Sequence, residues 1–421
     1  MRRSNTVRII AGKETKAKLT SIGKAFVNCW NEVNTLRLEQ YKRHEFVDFV
    51  KTEKVVYEKY KSILHGANVE QVTRKNMGAW KSFFKLSKKK KEGELPKWMK
   101  PKPPHKKKDD LFLLIRNDRY KIEGNEIYLL DFNLRLKFNG KLKWVGKQGT
   151  LEIYYDSVRK KWYAKIPMSV KVDNKPRSKM KAGIDLGIAN LATVAVEDGS
   201  WMLFKGGSVL SEFKKITKRI AKEKKRLAKH GLKTSRKLEM LYKRRAALLK
   251  NAREGLAREV VESLYDKGVG EIDIGYPKGI AQDKGNEMNT NFWSYLAIIK
   301  RIKEVAEEYK IKVKLADEAN TSKTCSLCGE IHENGRIERG LFECPHTKKV
   351  INADLNGAIN MMKHIPKSVE DRGKWLKAQP VVYRWTSGAG WVTTSNEVMK
   401  MKAVNHEPMI SLKETTFPLG L

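Results

Sequence analysis

Three of the four cysteines in this 421-residue chain fall within 20 residues, as Cys325-x2-Cys328 followed by Cys344, and no other feature restricts the local fold as strongly. The start, MRRSNTVRII, is basic but is followed by no apolar signal core, so secretion is not expected. No run of about 18 apolar residues occurs, so no membrane span is expected either. Without a secretory route, thiols at this spacing read as metal ligands rather than disulfides. Cys29 stands apart from them.

The charge balance points to a partner. Lys and Arg total 87 against 48 Asp and Glu, a formal net charge of +39. Such a chain repels itself at neutral pH, and a polyanion relieves that repulsion. Nucleic acid is the commonest one, because each phosphate neutralised releases a counterion. A merely cationic surface or a ribosome-associated protein is the plainer reading.

The length suggests several units. Residues 6–11 read as a strand, and 13–62 as helical, with Leu19, Ile22, Phe26, Trp30 and Val33 at three- and four-residue spacing. A second helical stretch, 68–86, holds Trp80, Phe83 and Phe84. The Lys- and Pro-rich run 86–108 reads as a solvated loop and a phosphate-contacting arm. Strands with Asn/Gly turns fill 111–170, which suggests a small β-barrel or sandwich with the helices inserted after its first strand. A hairpin follows from about 179, then two basic helices over 208–266 broken at His230-Gly231. After these come a strand over 270–276, a helix over 292–309, a strand over 311–316, the cysteine-rich insert and a helix over 352–364. This order fits a mixed α/β domain. Residues 367–421 show no period and read as a partly disordered tail.

Two aspartates stand where chemistry is possible. Asp185, in GIDLG, follows a short apolar strand between glycines that let a metal or phosphate approach the backbone. Asp354, in NADLNGAIN, opens an apolar helix. Singly, the first reads as a turn residue and the second as a helix cap. Together they fit metal-assisted phosphodiester cleavage, in which several carboxylates converge on two Mg²⁺ ions about 4 Å apart. RNase H-like folds supply such carboxylates from a first strand, a middle strand and a late helix.

GIDLGIANLATVAVEDG, TSKTCSLCGEIHENGRIERGLFECP and NADLNGAIN, in that order and spacing, resemble the TnpB family of transposon-encoded RNA-guided DNA nucleases and its relatives, the compact type V CRISPR effectors. The likeness runs from about residue 180 to 364. It implies an α/β multidomain protein: an RNase H-like (RuvC) nuclease domain with a zinc-ribbon insert, preceded by a β-barrel domain with an inserted helical domain. The implied boundaries are 1–178 for the barrel domain with its helical region at about 13–110, 179–320 for the nuclease domain with its basic hairpin at 208–266, 321–350 for the ribbon, 351–366 for the end of the nuclease domain, and 367–421 for the tail.

The resemblance makes Asp185 the first and Asp354 the third catalytic carboxylate, with Mg²⁺ as their cofactor. The family carries Glu at the end of the middle strand, and Tyr276 falls where it is expected. Tyr, with a pKa near 10, is a poor Mg²⁺ ligand. Glu318 is the preferred substitute, since it follows the next strand of the sheet. Glu287, Asp283 and Asp317 are fallbacks, and Asp273 ranks below them because it lies two residues before the strand end. The family commonly carries a second CxxC, so Thr347 stands where a cysteine is expected. Zn²⁺ wants four ligands. His332 or His346 completes a three-Cys, one-His set, and His346, nearer the missing ligand, is preferred.

Along the basic helices, Phe213, Ile216, Ile220 and Leu227 mark a buried stripe. Lys214, Lys215, Lys218, Arg219, Lys224, Lys225, Arg226, Arg244 and Arg245 are candidates for nucleic-acid contact. Trp98, Trp144, Trp162 and Tyr163 are candidates for base stacking, with Trp144 and Trp162 read first as core. The resemblance further implies a guide RNA derived from the transposon end, a double-stranded DNA target, and a prokaryotic, cytoplasmic, nucleoid-associated setting. A nuclease-dead guided repressor and a zinc-ribbon nucleic-acid-binding protein without a guide are the competing functions.

Overall fold

In the computed structural model the chain divides into two units, Met1–Val172 and Asp173–Leu421. The structure describes residues 1–95, 98–108, 110–175, 178–276, 292–316, 321–338, 340–362 and 373–394.

The first unit begins with β1 (Arg2–Ile10), where Asn5, Val7 and Ile9 are buried and the residues between them face out, the two-residue period of a half-buried strand. Three helices follow: α1 (Lys13–Lys42), α2 (Phe49–Leu64) and α3 (Gly66–Lys91). The single helical stretch expected over 13–62 is thus two helices. The break comes at Asp48, whose carboxylate accepts from the main-chain N–H of Val50 and Lys51 and so caps α2. Arg37 of α1, fully buried, locks the three helices together. Its guanidinium donates to Thr52 Oγ1 (3.0 Å) and to Asn76 Oδ1 (2.9 Å), and to the carbonyl oxygens of Thr73 and Phe49.

Seven further strands complete this unit: β2 (Phe112–Ile115), β3 (Tyr120–Glu123), β4 (Glu126–Leu129), β5 (Leu134–Asn139), β6 (Lys147–Gln148), β7 (Leu151–Asp156) and β8 (Lys161–Ser169). They pair in the order β2-β7-β8-β1-β5-β4-β3, with β6 also on β8. Among the described residues the two ends, β2 and β3, do not pair, so hydrogen bonds do not close this sheet into a barrel there. The Lys/Pro-rich segment is less free than its composition suggests. Asn31 and Asn34 of α1 hold its main chain at Lys107 and Pro104.

The second unit is built on a seven-stranded sheet. Its antiparallel centre is β9 (Met180–Asp185), β10 (Asn190–Val196) and β11 (Trp201–Lys205). After α4 (Gly207–Lys229) and α5 (Arg236–Asp266), β12 (Val269–Gly275) lies parallel to β9. After α6 (Tyr295–Glu308), β13 (Lys312–Ala316) lies parallel to β12. The ribbon strands β14 (Arg336–Glu338), β15 (Leu341–Glu343) and β16 (Val350–Asn352) form a separate small sheet, and α7 (Ala353–Met361) follows directly.

The main sheet buries both faces. Ile184, Val194, Phe204, Ile272 and Ile274 pack with Val260 and Leu264 of α5 and Ile298 and Ile302 of α6. On the other face Ala195 and Leu203 pack with Leu355, Ala358 and Ile359 of α7 and with the ribbon's Leu327 and Phe342. In α4, Phe213, Ile216, Ile220 and Leu227 form the expected buried stripe. Its Glu223, also buried, accepts from Arg226 and from Ser235, the residue that caps α5.

The segment read as a partly disordered tail, 367–421, holds regular structure over residues 373–394 that no period announced. There, β17 (Val381–Thr386) adds to β11 in parallel and β18 (Gly390–Thr393) returns beside it. What holds them is aromatic rather than periodic. Tyr383 stacks on Phe204 at 4.5 Å, and Trp391 donates to the Ala252 carbonyl oxygen (2.9 Å). Trp375 donates to Val196 O (2.9 Å). The alternation of buried Tyr383 and Trp385 about exposed Arg384 spans a single period of β17, and β18 adds one more buried aromatic, Trp391, which is too short a pattern to read from sequence.

Candidate active site and thiol cluster

Asp185 is the last residue of β9, and Asp354 is the second residue of α7. Two glycines bring these elements together. A side-chain carbon on Gly183 would overlap the carbonyl oxygen of Ala358, so β9 and α7 meet backbone to backbone. One on Gly357 would lie 3.2 Å from Asp185 Oδ2, so the carboxylate of Asp185 rests against α7 at that point. Asp354 sits one turn away from Gly357, and residues three apart on a helix are neighbours at about 5–6 Å. The first glycine of GIDLG thus serves helix packing, rather than the approach of a phosphate or metal.

Asp354 is not the cap of its helix. Asn352 caps α7, its side-chain oxygen accepting from the N–H of Asp354 and Leu355 at 3.0 Å each. The carboxylate of Asp354 is thereby released for another use, and its Oδ2 accepts from the side-chain amide of Asn190 at 2.6 Å.

The strand register decides the position of the missing acid. β12 pairs with β9 so that Asp273 lies opposite Gly183 and Ile274 opposite Ile184. By alternation, Gly183, Asp185, Asp273 and Gly275 share the face that carries α7. Tyr276 packs against the core on the opposite face. Gly275, not Tyr276, is therefore the end residue of β12 on the face of Asp185. Asp273, ranked low from sequence, is buried on that face, one pleat inward, opposite Lys314 of β13. Asp273 is one of the groups that push the Lys314 ammonium above its ordinary pKa, after Glu271, which bonds it at 2.6 Å. Glu318 and the fallbacks Asp317, Asp283 and Glu287 lie outside the described residues.

In the ribbon, Cys325, Cys328, Cys344 and His332 bring one ligand atom each within 4.8 Å of one another. His332, the alternative to the preferred His346, is the fourth member. An isolated bridge pairs Thr324 with Ile331, and His332 N–H donates to Lys323 O, which folds the chain back over the CxxC turn. His332 Nε2 ends 3.0 Å from Cys328 Sγ. His346 stands outside, its ring edge-to-face with that of His332 at 5.0 Å. Thr347 lies beside the cluster, its main-chain N–H donating to Cys344 Sγ at 3.5 Å. Burial pushes the Cys325 thiol up to about 12. Three thiols and an imidazole at these separations suit a tetrahedral zinc ion, which would displace the thiol protons on binding.

Of the basic candidates on α4 and α5, Lys214, Lys215, Lys218, Arg219, Lys224, Lys225, Arg226 and Arg244 are exposed. Two arginines already have internal work. Arg226 bonds Glu223 at 2.7 Å, and half-buried Arg245 bonds Thr217 across the hairpin and covers the rings of Phe213 and Tyr242. Among the aromatics, Trp162 is core, Trp98 is exposed, Trp144 lies under Arg3 and Lys143, and Tyr163 stacks on Tyr154. No helix among the described residues is long and apolar enough to cross a membrane.

Comparison with known proteins fits this arrangement. Residues 165–281 match a family model described as a probable transposase, and residues 295–361 match one described as the Cas12f1-like TNB domain. A TnpB-like protein, ORF457 of Acidianus two-tailed virus, is 36% identical over 401 residues, covering 86% of each chain. The chain belongs to the TnpB family. A more distant TnpB relative, the CRISPR-associated endodeoxyribonuclease Cas12f1 of Syntrophomonas palmitatica, is 28% identical over 47% of this chain and 41% of its own. The TnpB fold seen here is also that of Cas12f1 in a complex with single guide RNA and target DNA, with a TM-score of 0.59 at 13% identity over 86% of this chain and 98% of that one.

Proposed function

We propose that this protein is an RNA-guided DNA endonuclease that hydrolyses phosphodiester bonds at a RuvC-like carboxylate site. The observation that carries the reading is the convergence of Asp185 and Asp354 through Gly183 and Gly357 in a chain of the TnpB family. The sheet order supports it: a three-stranded antiparallel centre, two added parallel strands and a late helix on one face are the parts of an RNase H-like nuclease. Mg²⁺ fits the donor set, since two carboxylates that share one face, one of them held by an amide, are hard oxygen ligands. When bound, it would activate water and stabilise the leaving oxygen.

In this reading Asp185 and Asp354 hold the metal, and a third acid completes the site. Glu318, two residues beyond β13, remains the assigned acid, with Asp273 as its competitor on the face of Asp185. The thiol cluster binds zinc and folds the ribbon. The exposed cations of α4 and α5 contact phosphates, and guide pairing reads sequence while the protein reads backbone shape, as described for CRISPR effectors. The domain limits inferred from sequence and the transposon-end origin of the guide belong to the same proposal.

A second reading, guided binding without cutting, is favoured by one observation: Tyr276 stands where the family's Glu is expected, and the β12 residue before it, on the face of Asp185, is Gly275, so neither position offers a carboxylate. One experiment separates the two. The chain is expressed with its flanking DNA, its bound RNA is sequenced, and the complex is challenged with matching DNA and Mg²⁺ beside Asp185→Ala. Cutting that needs Asp185 supports the nuclease. Tight binding of matching DNA without cutting supports the repressor, and no defined RNA removes both.

A further inference from the structure

Asn190 has no role in any reading above, yet its position is closely constrained. It opens β10, only 8% exposed, and it is followed by the fully buried Leu191. The turn before it is closed by two glycines. A side-chain carbon on Gly187 would lie 2.8 Å from the Asn190 carbonyl oxygen, and one on Gly206 would overlap that of Ile188. Gly206 N–H donates to Ala189 O at 2.8 Å. The turn therefore has little freedom, and it delivers the Asn190 amide to Asp354 Oδ2, 164 residues further along the chain, at 2.6 Å.

We propose that Asn190 is a positioning residue for the metal-binding carboxylate of Asp354. The inference rests on the nuclease reading for its purpose. An aspartate in the first turn of a helix has several rotamers and two competing oxygens. A neutral donor that engages one oxygen fixes the carboxylate plane without removing its charge, and a charge-assisted bond of this length is among the stronger kinds. A lysine or arginine at position 190 would neutralise the carboxylate, and an aspartate would repel it. An amide orients it and leaves it anionic, which is what an outer-shell partner of a metal ligand must do.

Metal binding, rather than cleavage, is the direct test. Mn²⁺, as a paramagnetic stand-in for Mg²⁺, is titrated into the zinc-loaded, RNA-free full chain and followed by electron paramagnetic resonance, with melting temperature measured alongside. Asn190→Ala is expected to weaken Mn²⁺ binding about 10–100-fold, the usual cost of losing an outer-shell partner, while melting stays near that of the wild type. Asn190→Leu keeps the volume should alanine collapse the turn, and is expected to match it. Asn190→Ser retains a donor and should recover part of the affinity. Wild-type affinity in Asn190→Ala or Asn190→Leu, with Asp354→Ala losing the ion, overturns the role of Asn190 alone. Wild-type affinity in Asp354→Ala and Asp185→Ala removes the metal site and the inference with it.

Discussion

The thiol cluster of the ribbon draws its four ligands from a 20-residue stretch, Cys325 to Cys344, by way of two tight turns and one bridge. The carboxylate site joins a strand end to a helix start, and the two residues that meet there by hydrogen bond, Asn190 and Asp354, are 164 positions apart. The first site takes its ligands from local backbone geometry, with Asn356 and Asn360 of α7 bracing the CxxC turn at Ser326 and Thr324. The second exists only once β9, β10 and α7 have packed, so its integrity reports on the whole sheet. Local sites tolerate a change of ligand as long as the turn delivers another side chain, as His332 does. Distant sites tolerate less, because the strand register dictates which residue can reach them.

The largest effect should come from the distant site. Asp185→Asn and Asp354→Asn are each expected to lower single-turnover cleavage by more than the roughly 10–100-fold typical of outer-shell losses, with zinc content and melting temperature unchanged. Cleavage by either variant at the wild-type rate would break the comparison at its root. Next come the ligands of the local site. Cys325→Ser and His332→Ala should lose zinc, whose apparent binding energy in zinc-finger peptides is about 10–16 kcal/mol, whereas His346→Ala should keep one zinc per chain. Elemental analysis decides, and the reverse pattern for the two histidines would restore His346 as the ligand.

Gly183→Ala tests the packing on which the distant site depends. Forcing a methyl against the Ala358 carbonyl should cost about 1–3 kcal/mol in denaturant unfolding, while Gly357→Ala, whose added carbon meets Asp185 at 3.2 Å, should act more on metal affinity than on stability. Equal effects of the two on both readouts would merge the roles separated here. The smallest effect belongs to Glu223, a tie as local as the zinc ribbon but without a metal. Arg226 above all, with Ser235 and Lys237, holds its carboxyl down to about 2. Because the folded pKa lies below the ordinary one, the tie stabilises at neutral pH and is lost as pH falls from the usual carboxylate range toward 2. The melting temperatures of the wild type and Glu223→Gln should converge over that window, and a gap that persists at its acid end would deny the tie.

What sequence revealed and what it hid follow the same division. The CxxC pair and Cys344 were legible because thiol spacing encodes a turn directly, and the stripe of α4 because its apolar residues recur with the helical period. His332 was ambiguous because the chain reversal that delivers it is written in a two-residue bridge, not in a motif. The places of Asp185 at a strand end and Asp354 at a helix start were legible through their flanking motifs. The packing purpose of Gly183 was not, because the atom it accommodates belongs to a helix far along the chain. The face of Tyr276 was hidden for a related reason: a strand's end can be read from sequence, but the face each residue occupies depends on its pairing with β9. The division of the first helical run was hidden because Asp48, the residue that caps the start of α2, is embedded in an otherwise helical pattern.

The aromatic closure at β17 and β18 bears on how short this protein can be made. A chain trimmed after Met362 would retain Asp185, Asp354 and the whole thiol cluster, and would pass for a complete nuclease by its motifs. It would also lose Trp375, Trp385 and Trp391 and uncover both the ring of Phe204 and the hydrogen-bonding edge of β11. A bare strand edge beside an exposed aromatic is a template for chain-to-chain association. The lower limit on a miniaturised version is set by where the sheet ends, some thirty residues beyond the last recognisable motif.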